Sequence, residues 1–398
     1  MRVQKSKIFL LVLIVIAYIV FGMTVFYLRS SGVIASMEVK NTIEIYKVNL
    51  TEQEVEQSYT LATEFFNTHM KKPEGYVSLY YGDDSKTNSE AVSYYLYWNA
   101  VQGNKEEFDL TFNFIESKML HPEVGYIMWQ ITPSGEIIED GDNIASDADL
   151  RTLKALFIAE QKWGDIKYSM FIDKFSTALE NVVVTDDGYF VPYGGYDTEM
   201  NATWKAEEVW LSYSDFATFK KLEERKGKTW GNVYNVMKKT TLEAQTEKGF
   251  YNTELNDIHV YDNELDAGQY SLNSLWIMVR AAESGDGELM ASANKSLQFY
   301  KWALIRDDEV YSAYNVNGDS ASIGEEAWSY ALLARAAIAL GDKDLADAFM
   351  QRLLSYQEKD ETSAFYGAFT EGGMNKKAGQ FTNQEAIITL QAYLNKKW

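Results

Sequence analysis

The segment WSYALLARAAIALGDKDL, residues 328–345, joins an apolar stretch to a Gly-Asp turn and the start of a second helical pattern. Two helical patterns separated by a short glycine-containing turn are typical of a helical hairpin, because glycine readily adopts the left-handed conformation that ends a helix. Similar turns occur in AVQGNKEEF (100–108), EQKWGDIKY (160–168), ERKGKTWGN (224–232) and AAESGDGEL (281–289). The sequence therefore predicts five helical hairpins.

The turn glycines are regularly spaced along the chain. They are Gly103, Gly164, Gly227, Gly285 and Gly341, at intervals of 61, 63, 58 and 56 residues. Such a period accommodates two helices, their turn and one substantial loop. The helix before each turn is apolar on nearly all sides, as in TLKALFIA (152–159), whereas the helix after it is amphipathic, as in KEEFDLTFNFIESKM (105–119). We expect the first helix of each pair to be inner and the second outer.

Two helical patterns at the ends of this array have no partner next to them in the sequence. An amphipathic pattern covers about residues 52–69, and an inner-type pattern covers about residues 383–394. Pairing these two helices closes a ring of six hairpins, whereas an open solenoid would need polar capping repeats at both ends. The prediction is an all-α protein with a single (α/α)6 toroid at residues 51–398. Short β segments are expected in loops such as 125–131 and 188–195.

The N-terminus contains an uncharged run of 21 residues, 8–28. As a helix it would be about 31 Å long, which matches the thickness of a bilayer core. The preceding cations Arg2, Lys5 and Lys7 predict a cytoplasmic tail at residues 1–7, so that a linker at residues 29–50 leads to an extracytoplasmic domain on a single-pass anchor. The alternative is a signal peptide that is cleaved after Ala35, which would release a secreted protein.

Composition excludes several classes of function. The net charge is −21, so a nucleic-acid partner is excluded and a neutral or cationic polymer is favoured. Cysteine is absent and the three histidines are scattered, so we expect no metal and no cofactor. Aromatic residues make up 14% of the chain, which suits either a sugar-stacking groove or a large core.

Polar residues stand at the predicted starts of all six inner helices. They are Ser89-Glu90, Ser146-Asp147, Ser212-Tyr213, Asp266, Glu325-Glu326 and Asn383-Gln384. Each could serve only as a helix cap, but in a toroid all of them would meet at one rim. Hydrolysis of a glycosidic bond with inversion needs one carboxylic acid and one carboxylate about 6.5 to 9.5 Å apart. Carboxylates on separate inner helices could provide such a pair.

Two segments carry a resemblance to a known family. Residues 87–94, TNSEAVSY, are similar to the Ser-Glu-Gly-x-Ser-Tyr motif of glycoside hydrolase family 8, and residues 145–150 reproduce the family's Ala-Ser-Asp-Ala-Asp-Leu. Residues 125–129 resemble its Gly-x-x-x-Trp segment, and weaker similarity extends over about residues 52–396. The resemblance implies an inverting (α/α)6 glycanase that acts on β-linked polysaccharide.

The resemblance also implies roles for individual residues. Glu90 corresponds to the general acid, and Asp147 to the residue that holds the sugar ring at the cleavage site. The family's general base lies in a Tyr-Asp-Ala-x-Arg segment, whose counterpart is 265–269, LDAGQ. Asp266 is therefore predicted as the base, with Asp262 as its rival. Trp129, Tyr94, Tyr213 and Tyr126 are the predicted sugar-binding residues, and core packing is their alternative role.

The sequence thus predicts a membrane-anchored enzyme that cleaves a β-linked polysaccharide, such as an exopolysaccharide, with inversion. The altered base segment leaves an alternative, a catalytically weakened carbohydrate-binding accessory protein of polysaccharide export. Another toroidal enzyme, such as an unsaturated glucuronyl hydrolase or a lyase, would present basic or histidine residues to an anionic sugar. An acidic cleft, which we expect here, would disfavour that third possibility.

Overall fold

Helices dominate the computed structural model, which describes residues 48–139, 141–256, 259–322, 324–371 and 376–398. Those ranges contain twelve α-helices: α1 (Glu52–Phe65), α2 (Ser89–Gln102), α3 (Lys105–Phe114), α4 (Ser146–Trp163), α5 (Ile166–Val183), α6 (Phe216–Lys226), α7 (Lys228–Glu243), α8 (Leu272–Ala282), α9 (Gly287–Asp307), α10 (Ala327–Leu340), α11 (Lys343–Ser355) and α12 (Gln380–Asn395). Single π-helical turns extend α1 over Phe66–Met70 and α3 over Ile115–Met119.

The five predicted hairpins are confirmed, and each turn glycine has a positive φ, between 64° and 88°. In four of the five turns the residue after the glycine is the N-cap of the next helix. Asn104, Asp165, Asp286 and Asp342 each accept a backbone N–H of that helix through the side chain. The Gly-Asn or Gly-Asp pair therefore ends one helix and caps the next, which explains why this dipeptide recurs.

The helices contact one another in a closed order. α2 packs against α4, α4 against α6, α8 against α10, α10 against α12, and α12 against α2. The remaining step joins α8 to the 3₁₀ turn Leu211–Tyr213, which precedes α6. Each outer helix packs on the inner helix of its own hairpin, and α1 packs on α12 as predicted. The helices therefore contact one another in the sequence expected for six hairpins in a closed ring.

The inner helices are buried, but they are not all apolar. α10 follows the expected pattern, with buried alanine and leucine on all sides. In α12, by contrast, Gln380, Thr382, Asn383, Gln384 and Glu385 are all buried. This helix begins three residues earlier than predicted, and its polar first turns lie where the inner helices begin.

Three small antiparallel sheets lie in the loops between hairpins. β1 (Thr87–Asn88) pairs with β2 (Gln130–Ile131), β3 (Gly194–Asp197) pairs with β4 (Ala202–Lys205), and β5 (Val209–Trp210), β6 (Glu254–Leu255) and β7 (Tyr261–Asp262) form the third sheet. They include parts of both loops predicted to contain β structure. The first sheet fixes the start of α2, because the Ser89 N–H donates to the Trp129 carbonyl.

Within the described ranges, no helix combines the length and apolarity needed to cross a membrane. The predicted tail, the anchor at residues 8–28 and the linker up to residue 47 lie outside the described residues. Residues Asn49–Trp398 form one compact unit.

Candidate active site

A cleft of about 350 Å³ opens where the inner helices begin. It is lined by side chains from five of the six inner segments and their loops. These are Asn88, Glu90, Tyr94, Trp129, Ala145, Asp147, Arg151, Ser212, Tyr213, Leu272, Asn273, Trp276, Arg280 and Phe381. The predicted meeting of polar helix starts at one rim is confirmed for α2 and α4 and for the turn before α6.

Glu90 occupies the first turn of α2, which the Asn88 side chain caps by accepting the Ala91 N–H at 2.8 Å. The Gln380 side-chain amide donates a hydrogen bond to the Glu90 carboxylate, with Nε2 and Oε2 3.2 Å apart. Burial and then the nearby Asp147 carboxylate raise the pKa of Glu90 to about 7, against the opposing effect of Arg151. A carboxyl with such a pKa can hold a proton near neutral pH and donate it.

Asp147 stands in the first turn of α4 and forms an ion pair with Arg151 one turn later, with Oδ2 and Nη2 2.9 Å apart. Arg151 is 4% exposed, and its other amino group donates to the Ser93 hydroxyl at 3.0 Å. Its guanidinium carbon lies 3.7 Å from the centre of the Tyr94 ring. The contacts with Ser93 and Tyr94 limit the movement of the Arg151 guanidinium. Arg151 therefore fixes the Asp147 carboxylate beside Glu90.

Three of the four predicted sugar-binding aromatic residues line the cleft, namely Trp129, Tyr94 and Tyr213. Tyr126 does not. It is 1% exposed, its ring stacks on His121 at 4.9 Å, and its hydroxyl donates to the Asp142 carbonyl. Tyr126 thus occupies the packing role that the sequence left as the alternative.

Asp266 was predicted to begin α8, but it lies in a separate 3₁₀ turn, Glu264–Asp266, and α8 begins at Leu272. Asp266 is not among the residues that line the cleft. Its carboxylate accepts the backbone N–H groups of Ser271, Asn273 and Ser274 and also the Asn273 side-chain amide. It therefore caps α8, while the Asn273 side chain reaches the cleft in its place.

The rival base, Asp262, also lies away from the cleft lining. It belongs to β7, where it is directly opposite Glu254 of β6 and accepts the Asn256 side-chain amide at 2.9 Å. Among the residues that the structure describes, Glu90 and Asp147 are the carboxylates that line the cleft.

A second cavity of about 340 Å³ adjoins the first and shares Asn88, Glu90, Leu272 and Phe381 with it. Its other lining residues include Tyr80, Trp328 and Glu371. Glu90 therefore has open space on both sides. An acid that protonates the oxygen between two sugar units needs such space.

The family of this chain follows from a match to a known sequence profile. The sequence profile described as glycosyl hydrolases family 8 matches residues 47–263, which is more than half of the chain. The chain belongs to this family. No curated protein sequence matches the family 8 chain significantly.

Solved structures share the fold of this family 8 protein. An α-amylase from Clostridium perfringens is 23% identical with a TM-score of 0.73, over 84% of this chain and 98% of that one. A β-1,3-1,4-glucanase from Paenibacillus sp. X4 is 15% identical with a TM-score of 0.68, over 88% and 94%. Rex8A from Paenibacillus barcinonensis, solved with xylose, is 16% identical with a TM-score of 0.61, over 87% and 94%.

Sequence reasoning missed the cations of this family 8 cleft. Arg151 and Arg280 both line it, so the expectation of an acidic cleft was wrong. Arg280 also shares the Asp215 carboxylate with Lys154, and Arg335 joins Glu283 to Glu385. Arg280 and Arg335 are each the single charged residue of an otherwise largely apolar inner helix, and that interruption was the available signal.

These buried charges compensate one another. Burial alone would raise the pKa of Glu283, but Arg335 and Lys154 lower it to about 2. Lys154 and Arg280 likewise hold the pKa of Asp215 well below its usual range, despite burial. A paired set of this kind fixes the inner helices relative to one another, because removing one member would leave a buried charge without a partner.

Proposed function

We propose that this family 8 protein is an inverting glycoside hydrolase in which Glu90 is the general acid. The observation that carries the proposal is a carboxyl with a pKa of about 7 between two cavities and beside a fixed carboxylate. Inverting hydrolysis requires an acid that is protonated at the start of the reaction, and most exposed carboxyls are not protonated near neutral pH.

In the proposed reaction a sugar unit on each side of Glu90 brings the glycosidic oxygen to its carboxyl. Glu90 protonates that oxygen while water attacks the anomeric carbon from the opposite face. In this proposal Asp147 hydrogen-bonds the hydroxyls of the sugar that undergoes cleavage, and its ion pair with Arg151 supports that role by fixing the carboxylate. Trp129 and Tyr213 offer faces on which the apolar side of a pyranose can stack.

The proposed substrate is a β-linked polysaccharide at the cell surface, such as an exopolysaccharide. The uncharged run at residues 8–28 supports a membrane anchor, and an anchored domain would meet a polymer that leaves the cell. Relatives of the same fold include a β-1,3-1,4-glucanase and an α-amylase, so a substrate panel should contain both anomers of glucan.

A specific observation favours one alternative, a carbohydrate-binding protein with weakened catalysis. Asp266 has no direct access to the cleft. If no group can accept a proton from the attacking water, the protein would bind a glycan without cleaving it.

The deciding experiment uses the chain from residue 38 onward, without the anchor. It is incubated with a panel of glycans and with exopolysaccharide from the producing cells, and reducing ends are measured. Proton NMR then follows the anomer that is formed first. Release of product with inverted configuration supports the proposal, while binding without release supports the alternative. Product that retains configuration would exclude an inverting mechanism.

A further inference from the structure

A chain of hydrogen bonds connects the cleft to Asp266. Ser212 and Asn273 both line the cleft, and the Ser212 hydroxyl donates to Asn273 Oδ1 at 2.9 Å. Asn273 Nδ2 in turn donates to Asp266 Oδ1 at 3.1 Å. The orientation of the amide follows from chemistry, because an ionised carboxylate can only accept and must therefore face the nitrogen.

Asp266 is held firmly at the end of this chain. It is 9% exposed, and the Ser271 N–H donates to its Oδ2 at 2.8 Å. The N–H groups of Asn273 and Ser274 donate at 3.2 Å each. A carboxylate fixed by the first turn of α8 keeps one position during a reaction, as a proton acceptor should.

We propose that Asp266 receives the proton of the attacking water through Ser212 and Asn273, as the end of a proton relay. The inference rests on the proposed inverting hydrolysis. It reconciles the family position of Asp266 with its place behind the cleft wall, since Asn273 stands between Asp266 and the cleft.

The relay balances as follows. Water bonds to the anomeric carbon through its oxygen and passes one proton to Ser212 Oγ, while the Ser212 proton moves to Asn273 Oδ1. A proton on Asn273 Nδ2 moves to Asp266 Oδ1, which leaves Asn273 as the imidic acid. Glu90 meanwhile gives its proton to the departing glycosidic oxygen. Reverse transfer to solvent water restores Asn273 and Asp266, and Glu90 is reprotonated from solvent.

Asp147 is less suited to this task than Asp266. Asp147 is paired with Arg151 and stands next to Glu90, on the wall that carries the acid. Inversion needs the base on the opposite face of the sugar. α8 lies across the ring from α2, three inner segments away in either direction.

The test compares variants along the chain on a glycan that the wild type cleaves. Asp266→Asn, Asn273→Ala and Ser212→Ala should each lower kcat by about 10² to 10⁴-fold with KM changed little. Asn273→Asp should recover most of the activity lost in Asn273→Ala, because it places a carboxylate in the cleft itself. Wild-type turnover by Asn273→Ala or by Asp266→Asn would overturn the relay.

Two further measurements separate proton transfer from capping. A glycosyl fluoride of the cleaved anomer needs no acid, so Glu90→Gln should hydrolyse it while Asp266→Asn and Asn273→Ala should not. On that substrate the wild-type rate should depend on the D₂O fraction with curvature, because several protons move together. A linear dependence in the wild type would overturn the relay.

The control is Asp342→Asn, which alters a helix-capping aspartate of α11. It should match Asp266→Asn in thermal stability and keep wild-type turnover. If the wild type cleaves no glycan, the proposed function itself fails. If Glu90→Gln is inactive on glycans while Asp266→Asn is fully active, only the relay fails.

Discussion

Glu90 and Asp266 stand on opposite sides of the ring and differ in how their sequences fix them. Glu90 follows a cap and opens α2 directly, in a segment that keeps the Ser-Glu and Ser-Tyr pairs of the family motif and has Ala91 in place of its glycine. Asp266 lies in a 3₁₀ turn before α8, in a segment where Leu265 and Gln269 replace the family's tyrosine and arginine. In the segment that keeps more of its motif, the Glu90 side chain lines the cleft. In the more altered segment, Asp266 caps α8 and a different side chain, that of Asn273, lines the cleft.

The largest expected effect is the loss of glycan hydrolysis when Glu90 alone is changed. Glu90→Gln should reduce glycan hydrolysis by about 10² to 10⁴-fold, because the amide cannot donate a catalytic proton. Glycan binding, measured by calorimetry, should remain close to that of the wild type. The matched control is Glu106→Gln, which changes an exposed glutamate in the first turn of the outer helix α3. Equal loss in both variants would indicate a general effect on folding instead.

A smaller effect is expected from changing Arg151, the cation that pairs with Asp147 beside Glu90. Arg151→Met should lower kcat/KM by about 10 to 100-fold, in line with the ~1.5 to 3 kcal/mol of a charged hydrogen bond, because Asp147 loses its partner. Arg151 also lowers the pKa of Glu90, so its loss should move the alkaline limb of the pH profile to higher pH. If the pH at which activity falls on the alkaline side is unchanged, the titration of Glu90 does not determine that fall.

The wild-type pH profile has a definite sign. Activity should fall as pH rises through about 7, because Glu90 must be protonated to act. The folded protein holds this proton more tightly than the unfolded chain does, so the associated stability is present at low pH and is lost as pH rises through about 7. Thermal denaturation should therefore show that Glu90→Gln is less sensitive than the wild type to an increase in pH across that range.

The smallest effect compares two aromatic residues of one loop. Trp129→Ala should raise KM by about 2 to 10-fold, in line with the ~0.5 to 1.5 kcal/mol of an aromatic contact. Tyr126→Phe should leave kcat and KM unchanged and cost about 1 kcal/mol of stability, because it removes only the bond to the Asp142 carbonyl. A rise in KM for Tyr126→Phe would indicate that Tyr126 binds the sugar after all.

The hairpins could be predicted because their signals are local. A glycine that ends one helix and an Asn or Asp that caps the next are adjacent in sequence, and their chemistry does not depend on distant residues. Glu90 and Asp147 could be placed for the same reason, since each lies in the first turn of a helix with a recognisable start.

The rest of the cleft depends on contacts that no local pattern reveals. Trp276, Arg280 and Phe381 line it only because α8 and α12 stand in the same ring as α2 and α4. Tyr126 was misplaced because it is three residues from Trp129 in the loop motif, yet its ring stacks on His121. Asp266 was placed at a helix start because Asp-Ala precedes an apolar run, whereas the chain first turns through Ala267 at a φ of 54°.

The pairing of α12 with α1 has a kinetic consequence. Five hairpins form from neighbouring residues, but the sixth pairs the first helix of the ring with the last. The same closure brings Ser58 of α1 to Gln357, in the loop after α11, with a separation of 299 residues. Contacts of such separation form late, because closing a long loop costs chain entropy before any contact compensates for it. The bond from Gln380 of α12 to Glu90 of α2 also requires the ring to be closed. A refolding experiment should therefore show helix formation well before glycan hydrolysis recovers, since the acid acquires its final surroundings only when the ring closes.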